Sequence, residues 1–296
     1  MNKKFPQAKA DLSKVKDNTS FKYYNEANYY FGMCAFFENN LEEAARSFQR
    51  VQNSKQFAQH VPYNLVQIYA AQKDYDRVIR YGLQALEDPK IKNAKQINQL
   101  IGQSHFERKN YAEAEKYLAE GADGNNNMRE EDFYQLGFAQ HRAGHFKDAV
   151  PNLENLNRTN NKLGQHAMYL LGDSYLRLGD RPRAKNAFAT ASRMNFDPSV
   201  QEESLWNYGK LTYELKQTQE SVEALQAIAP TSKYYNEAQQ LLGDVLLQTR
   251  DYGEAVRVIA NSPNKTPKLR ESYQKATLFA LCNIIKVVIW LTQSYV

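Results

Sequence analysis

Cysteine is almost missing from this chain: Cys34 and Cys282 stand near opposite ends, so no disulfide framework holds it together. No pair of cysteine clusters has zinc spacing, and no metal is expected. Histidine is also sparse, at five residues. His141 and His145 are four residues apart, which on a helix shares one face, and His166 follows in the next segment; yet His145 falls where comparable turns carry Asn40, Asn110 and Asp180, so turn polarity accounts for it. The thirteen glycines form no phosphate-cradling loop, and no serine sits in a nucleophile elbow. The carboxylates are numerous but none is paired in a recognisable pocket. The expectation is a non-enzymatic protein without a cofactor. A net charge of +5 over 296 residues gives nucleic acid or an anionic surface only weak support. The longest apolar stretch, Leu278 to Val296, is shorter than the roughly 20 residues needed to cross a bilayer and is broken by Asn283 and Lys286. It is expected to be a terminal helix packed on the preceding hairpin, not a membrane span, with an apolar surface available for self-association.

What the chain does have is a period. Gly32, Val66, Gly102, Gly137, Gly172, Gly209 and Gly243 recur every 34 to 37 residues, each directly after a large apolar side chain such as Phe31, Leu65 or Leu171. Twelve residues after each comes Ala44, Val78, Ala114, Ala149, Ala184, Ser221 or Ala255, and four further on Phe48, Gly82, Leu118, Leu153, Phe188, Leu225 or Ile259. On both sides of a short polar turn the apolar residues fall at three- and four-residue spacing, which predicts two antiparallel helices per unit. The small residue lets the second helix approach closely. Cys34, two residues after Gly32, takes a place filled elsewhere by Ser104, Ala139 and Ser174, and reads as a packed small side chain. Gly82, inside a second helix, costs about 1 kcal/mol relative to Ala and suggests a looser junction. Residues 121–127 and 157–164 read as loops between hairpins, and Pro198, Pro230 and Pro263 follow second helices.

The order large, small, aromatic, then small, large, small over about 34 residues resembles the tetratricopeptide repeat family. The resemblance implies an all-α, right-handed superhelical solenoid of about seven hairpins with a half repeat at each end. It forms one domain over 1–296, with repeats starting near 25, 59, 95, 130, 165, 202 and 236. An orphan second helix over 5–17 precedes them and a terminal helix over 268–296 follows. Because the chain opens in mid-hairpin, it reads as a piece of a longer bacterial-type array with any targeting sequence upstream, which leaves cytoplasm and cell envelope both open.

The resemblance also implies that positions three and six before the small residue, and one, four and five after it, line a concave groove. These include Tyr29, Tyr63, Tyr134, Phe138, Tyr169, Asp173, Glu203, Trp206, Lys210, Tyr213 and Asp244. Aromatic side chains of this kind dominate binding energies, since each offers a large rigid apolar area with a polar tip. Some rings will instead pack on the neighbouring helix. Groove positions carry eight acidic residues against Arg142, Arg177 and Lys210, which suits an extended basic and apolar peptide and repels phosphate. The Lys/Asn/Arg clamp by which some relatives grip a C-terminal carboxylate is not reproduced around Asn64 and Asn207. The leading expectation is therefore a peptide-binding scaffold with a protein or peptide partner. An RNA-binding helical repeat and a docking segment of a larger enzyme are the alternatives.

Overall fold

The computed structural model describes residues 5–122, 128–248, 250–262 and 267–293, and among them it contains sixteen helices and no strand. Pro263 and residues 123–127 of the expected loop lie outside the described residues. The chain divides into two compact units, Met1–His145 and Phe146–Val296. The first holds α1 (Phe5–Ser13), α2 (Tyr24–Phe37), α3 (Leu41–Val51), α4 (Val61–Ala71), α5 (Tyr75–Leu86), α6 (Ala94–Glu107), α7 (Tyr111–Gly121) and α8 (Glu130–Ala143). The second holds α9 (Phe146–Glu154), α10 (Lys162–Arg177), α11 (Arg181–Arg193), α12 (Pro198–Glu214), α13 (Thr218–Gln226), α14 (Tyr235–Gln248), α15 (Tyr252–Asn261) and α16 (Pro267–Gln293). Within each unit every helix packs on its neighbours in sequence, the contact order of stacked hairpins.

The turns inside the hairpins share one construction. Asn39, Lys73, Lys109, Gly179, Lys216 and Arg250 adopt positive φ, and so does Gly144 after α8. At the first of these, Asn39 N–H donates to Phe36 C=O and Asn40 N–H to Ala35 C=O, which satisfies two carbonyls that the end of α2 leaves bare. Asn40 then caps α3, its side chain accepting from Glu43 N–H. Asp74, Asp180 and Asp251 cap α5, α11 and α15 in the same way.

Close approach inside a hairpin rests on the repeated small residue. A Cβ added at Gly32, Gly102, Gly172 or Gly209 would fall 2.9, 2.7, 2.9 or 3.0 Å from Phe48, Leu118, Phe188 or Leu225, respectively. Each of those large side chains is essentially buried. The hairpin of α4 and α5 reverses the pair, with Val66 at the small position and Gly82 at the large one. Gly82 is not a loose junction. Ile101 and Ile97 of α6 occupy the space above it, Ile101 within 2.9 Å of where a Cβ would stand.

Two local expectations change. Gly164 belongs to the first turn of α10, not to a loop, because Asn161 caps that helix and accepts from Gly164 N–H at 3.0 Å. Pro198 follows α11 as expected and is itself the first residue of α12, behind the Asp197 cap. The terminal helix packs on its hairpin over its first part, where Leu269 and Ala276 are buried and Phe279 stacks on Tyr252 at 5.0 Å; the large apolar side chains from Leu278 to Leu291 are otherwise largely exposed.

Two outcomes follow from this packing. Gly172→Val drives two methyls into the Phe188 ring and should lower unfolding stability by about 1–3 kcal/mol, read from the urea midpoint. In α1 no residue is fully buried, and it is held by the Phe5–Phe37 ring stack at 4.8 Å and by Lys9 ion pairs to Glu38 and Glu43. Its amides should exchange with solvent well before those of α10 and α11; equal protection would contradict this.

Candidate peptide-binding surface

In the second unit the first helices of successive hairpins, α10, α12 and α14, lie side by side. This brings together residues separated by one repeat. Tyr169 on α10 donates its hydroxyl to Glu203 Oε1 on α12 at 2.7 Å. Its ring meets Phe188 edge-on at 5.8 Å. Burial first, and then the bond to the Glu203 carboxylate, pushes the Tyr169 phenol well above its ordinary range. Trp206, one turn beyond Glu203, stacks on Tyr234 at 5.7 Å with the rings 15° from parallel, and the Lys210 ammonium stands 5.5 Å from its centroid. Tyr213 accepts a hydrogen bond from Gln248 of α14 at 2.8 Å.

The acidic positions have partners of their own. Asp173 Oδ2 lies 3.5 Å from Arg177 Nε, one helical turn on. Asp244 meets Lys268 at 3.2 Å and accepts from Ser272 at 3.4 Å. Tyr169, Asp173, Glu203, Trp206, Tyr213 and Asp244 are all half-buried, and Lys210 is exposed.

In the first unit the corresponding side chains fall into separate groups. Tyr29 is stacked on Phe57 at 4.2 Å and packs against the core, so most of its ring is committed. Tyr63 accepts from Gln67 at 2.9 Å, and burial raises its phenol pKa. Tyr134 and Phe138 join Phe106 and Tyr111 in an aromatic cluster with ring centroids 5.2–5.8 Å apart, capped by the Arg142 guanidinium over Tyr111. Burial pushes the Tyr134 phenol up to about 12.

Sequence reasoning missed two features. Tyr234 lies in the loop before α14, outside the periodic positions, and only folding brings it over Trp206. The other is a polar staple between α10 and α12. The fully buried Gln165 amide donates to the carbonyls of Ala191, Met194 and Asp197 at 2.7–3.4 Å and accepts from Asp197 N–H at 2.7 Å. Asp197 in turn takes His166 Nε2 at 3.0 Å and Lys162 Nζ at 3.1 Å. A glutamine within a helix pattern gives no sign of such a role. Of the other histidines, His145 faces Glu115 at 2.8 Å. Among the described residues no group of three His, Cys, Asp or Glu side chains is placed to hold a metal. Cys34 is buried, and burial raises its thiol pKa.

Antiparallel helix pairs, stacked in register with half-buried aromatic rings on their first helices, define a helical-repeat scaffold. Residues 169–236, which include most of the second unit's candidate residues, match the tetratricopeptide repeat profile. Over that segment the chain is similar to tetratricopeptide repeats. Among solved structures it is similar to YrrB, described as a tetratricopeptide repeat protein with an unusual peptide-binding site. That likeness has 19% identity over 66% of this chain and 99% of YrrB, with a TM-score of 0.51. It is also similar to a chain in the structure of Naa15/Naa10 bound to HypK-THB, at 12% identity and a TM-score of 0.58. There the match covers 86% of this chain but only 39% of the other. At these identities the likeness is one of fold. Comparison with curated protein sequences gives no match.

The staple has a pH signature. The His166 and Lys162 contacts hold the Asp197 carboxyl far below the usual carboxylate range. A carboxyl depressed in the folded state contributes stability that is present above its unfolded value, about 3.9, and is lost as pH falls through the folded one. Asp197→Asn should therefore melt lower than the parent at pH 7, and the gap should close progressively below about pH 4. A gap independent of pH would assign the loss to the cap alone.

Proposed function

We propose that the protein is a non-enzymatic interaction scaffold that holds an extended, basic and apolar peptide segment along the first helices of its hairpins. In the second unit that surface is Tyr169, Asp173, Glu203, Trp206, Lys210, Tyr213 and Asp244; Tyr29, Tyr63, Tyr134 and Phe138 are the equivalent candidates in the first. The observation that carries this reading is the half-burial of Tyr169 and Trp206 on adjacent helices, each ring anchored on one side and each retaining a polar edge. An anchored ring loses little entropy on binding and still offers a flat apolar area. The likeness to YrrB, whose description includes a peptide-binding site, supports the same reading.

The acidic residues supply selectivity more than affinity. A cationic ligand side chain near Asp173 or Asp244 competes with Arg177 or Lys268, exchanging one ion pair for another. Affinity therefore comes mainly from the rings. A micromolar complex needs about 8 kcal/mol, of which a few aromatic hot spots at around 2 kcal/mol each supply most.

Peptides selected from a random display library against the intact chain should be enriched in Lys, Arg and apolar residues, and their affinity should fall moderately with added salt. Tyr169→Ala with Trp206→Ala should weaken them more than about tenfold while circular dichroism stays nearly unchanged. Enrichment of acidic peptides, or binding untouched by the double substitution, would move the site elsewhere. An unfolded double variant would make those rings core.

A further inference from the structure

We propose that a cleft between α6, α7 and the start of α8 is a seat for a phenol ring, filled by a tyrosine side chain of the bound peptide. This rests on the reading that a peptide lies along the first helices, and it adds the identity of one anchor.

The chain shows what belongs in such a seat, because it fills the equivalent ones itself. Three residues before the repeated small residue, Tyr29, Tyr169 and Trp206 each present a ring. The Tyr29 ring meets Phe48 of its second helix edge-on at 5.8 Å and lies flat on Phe57, from the loop leading into α4, at 4.2 Å. Tyr169 meets Phe188 edge-on at the same distance. Trp206 lies flat on Tyr234, from the loop leading into α14. In the third hairpin the ring position is Gln99. Floor and wall are kept: Leu118 stands where Phe48 and Phe188 do, and Met128 comes from the segment leading into α8. The ring that Gln99 withholds leaves a cleft of about 160 Å³, lined among others by Gln96, Gln99, Leu118, Gly121, Met128 and Asp132. An apolar cavity of about 150 Å³ is enough to take benzene.

The lining selects a phenol. Leu118 and Met128 offer apolar contact, and a thioether favours the edge of an aromatic ring. Gly121 brings the end of α7 against the α6 backbone, a Cβ there falling 2.8 Å from the Gln99 nitrogen, which closes the bottom of the cleft. The far side is polar. Asp132 is only 5% exposed and accepts from the Arg129 guanidinium at 3.0 and 3.1 Å. Burial would raise its pKa, but the Arg129 bonds outweigh that and lower it, so the group is a charged acceptor. It stands on the first helix next to that of Gln99, as Glu203 stands next to Tyr169. Its bond from Gln103, at 3.3 Å, is long enough for a phenol hydroxyl to displace. A tyrosine therefore makes both contacts that Tyr169 makes within the chain. A leucine makes only the apolar one, and an acidic side chain would meet the Asp132 carboxylate.

The test is NMR of the methionine methyl groups of the full chain during titration with p-cresol. The Met128 resonance, assigned by its loss in Met128→Leu, should move saturably, and toluene should bind about three- to tenfold more weakly for want of one hydrogen bond. Gln99→Tyr puts the chain's own ring in the seat and should abolish the response with helicity unchanged. Gln99→Met fills the seat in part and should weaken the response, which keeps the test open if the tyrosine variant does not fold. A tyrosine-bearing peptide from display selection should lose about tenfold in affinity when its tyrosine becomes alanine or when the chain carries Gln99→Tyr, and the two losses should not add. A Met128 methyl indifferent to p-cresol, or one that responds equally in Gln99→Tyr, overturns the seat even if peptides bind. Selected peptides that keep their affinity without tyrosine overturn the peptide assignment. If p-cresol binds and no peptide does, the scaffold reading fails and the tyrosine assignment with it, while the seat stands.

Discussion

The distance between the two helices of a hairpin is what the rest of this protein depends on, and one contact sets it. Where a first helix presents Gly32, Gly102, Gly172 or Gly209, a large side chain sixteen residues later lies against the bare backbone. No side chain intervenes, so the helix axes come closer than Leu-on-Leu packing allows. The contact is also buried, as the Phe48 and Phe188 rings show. Val66 and Gly82 obey the same constraint by exchanging roles, and Ile101 of the next hairpin supplies the volume that Gly82 withholds. Total volume is kept, but its source shifts from within the hairpin to the neighbouring one.

The turns carry the second constraint. A residue with positive φ closes one helix, and the next residue opens another, so a three-residue link satisfies backbone groups at both ends. Five of the seven positive-φ residues of this kind are Asn, Lys or Arg instead of Gly. Each costs backbone energy that the paired helices repay through packing. Short stiff links leave the first helices little freedom of rotation. That is why Tyr169 and Glu203, one repeat apart, meet at hydrogen-bond distance.

Electrostatics at the candidate surface is better described as occupied than as acidic. Asp173, Glu203 and Asp244 each hold a partner from this same chain, Arg177, Tyr169 and Lys268. Lys210 places positive charge beside Trp206. The field at this surface is therefore softened by internal cations, and on the proposed reading discrimination among ligands falls to which of these pairs a ligand can replace. The Asp197 staple with His166, Lys162 and Gln165 does not face that exchange; it holds the entry of α12 and thereby the height of Glu203 and Trp206 beside α10.

The repeat period, the helical character on both sides of each turn and the turn positions Asn40, Asp74, Asn110, Asp180, Gln217 and Asp251 were legible in the amino-acid sequence. They arise from interactions within about 16 residues, where spacing and side-chain size suffice to specify a contact. The candidate aromatic and acidic positions were legible as positions on a helix face. What the sequence could not say was how much of each ring remains available. Tyr29 is taken up by Phe57, and Trp206 is partly covered by Tyr234 from a loop without periodic signature. The partners of the carboxylates were hidden for the same reason, since Lys268 reaches Asp244 only after α16 has packed. The same holds for α16, whose composition alone predicted packing on the last hairpin. Tertiary structure covers it through Ala276, holds Phe279 on Tyr252, and leaves the large apolar side chains of the following turns largely exposed, because burial is decided by what stands opposite a helix and not by its own residues.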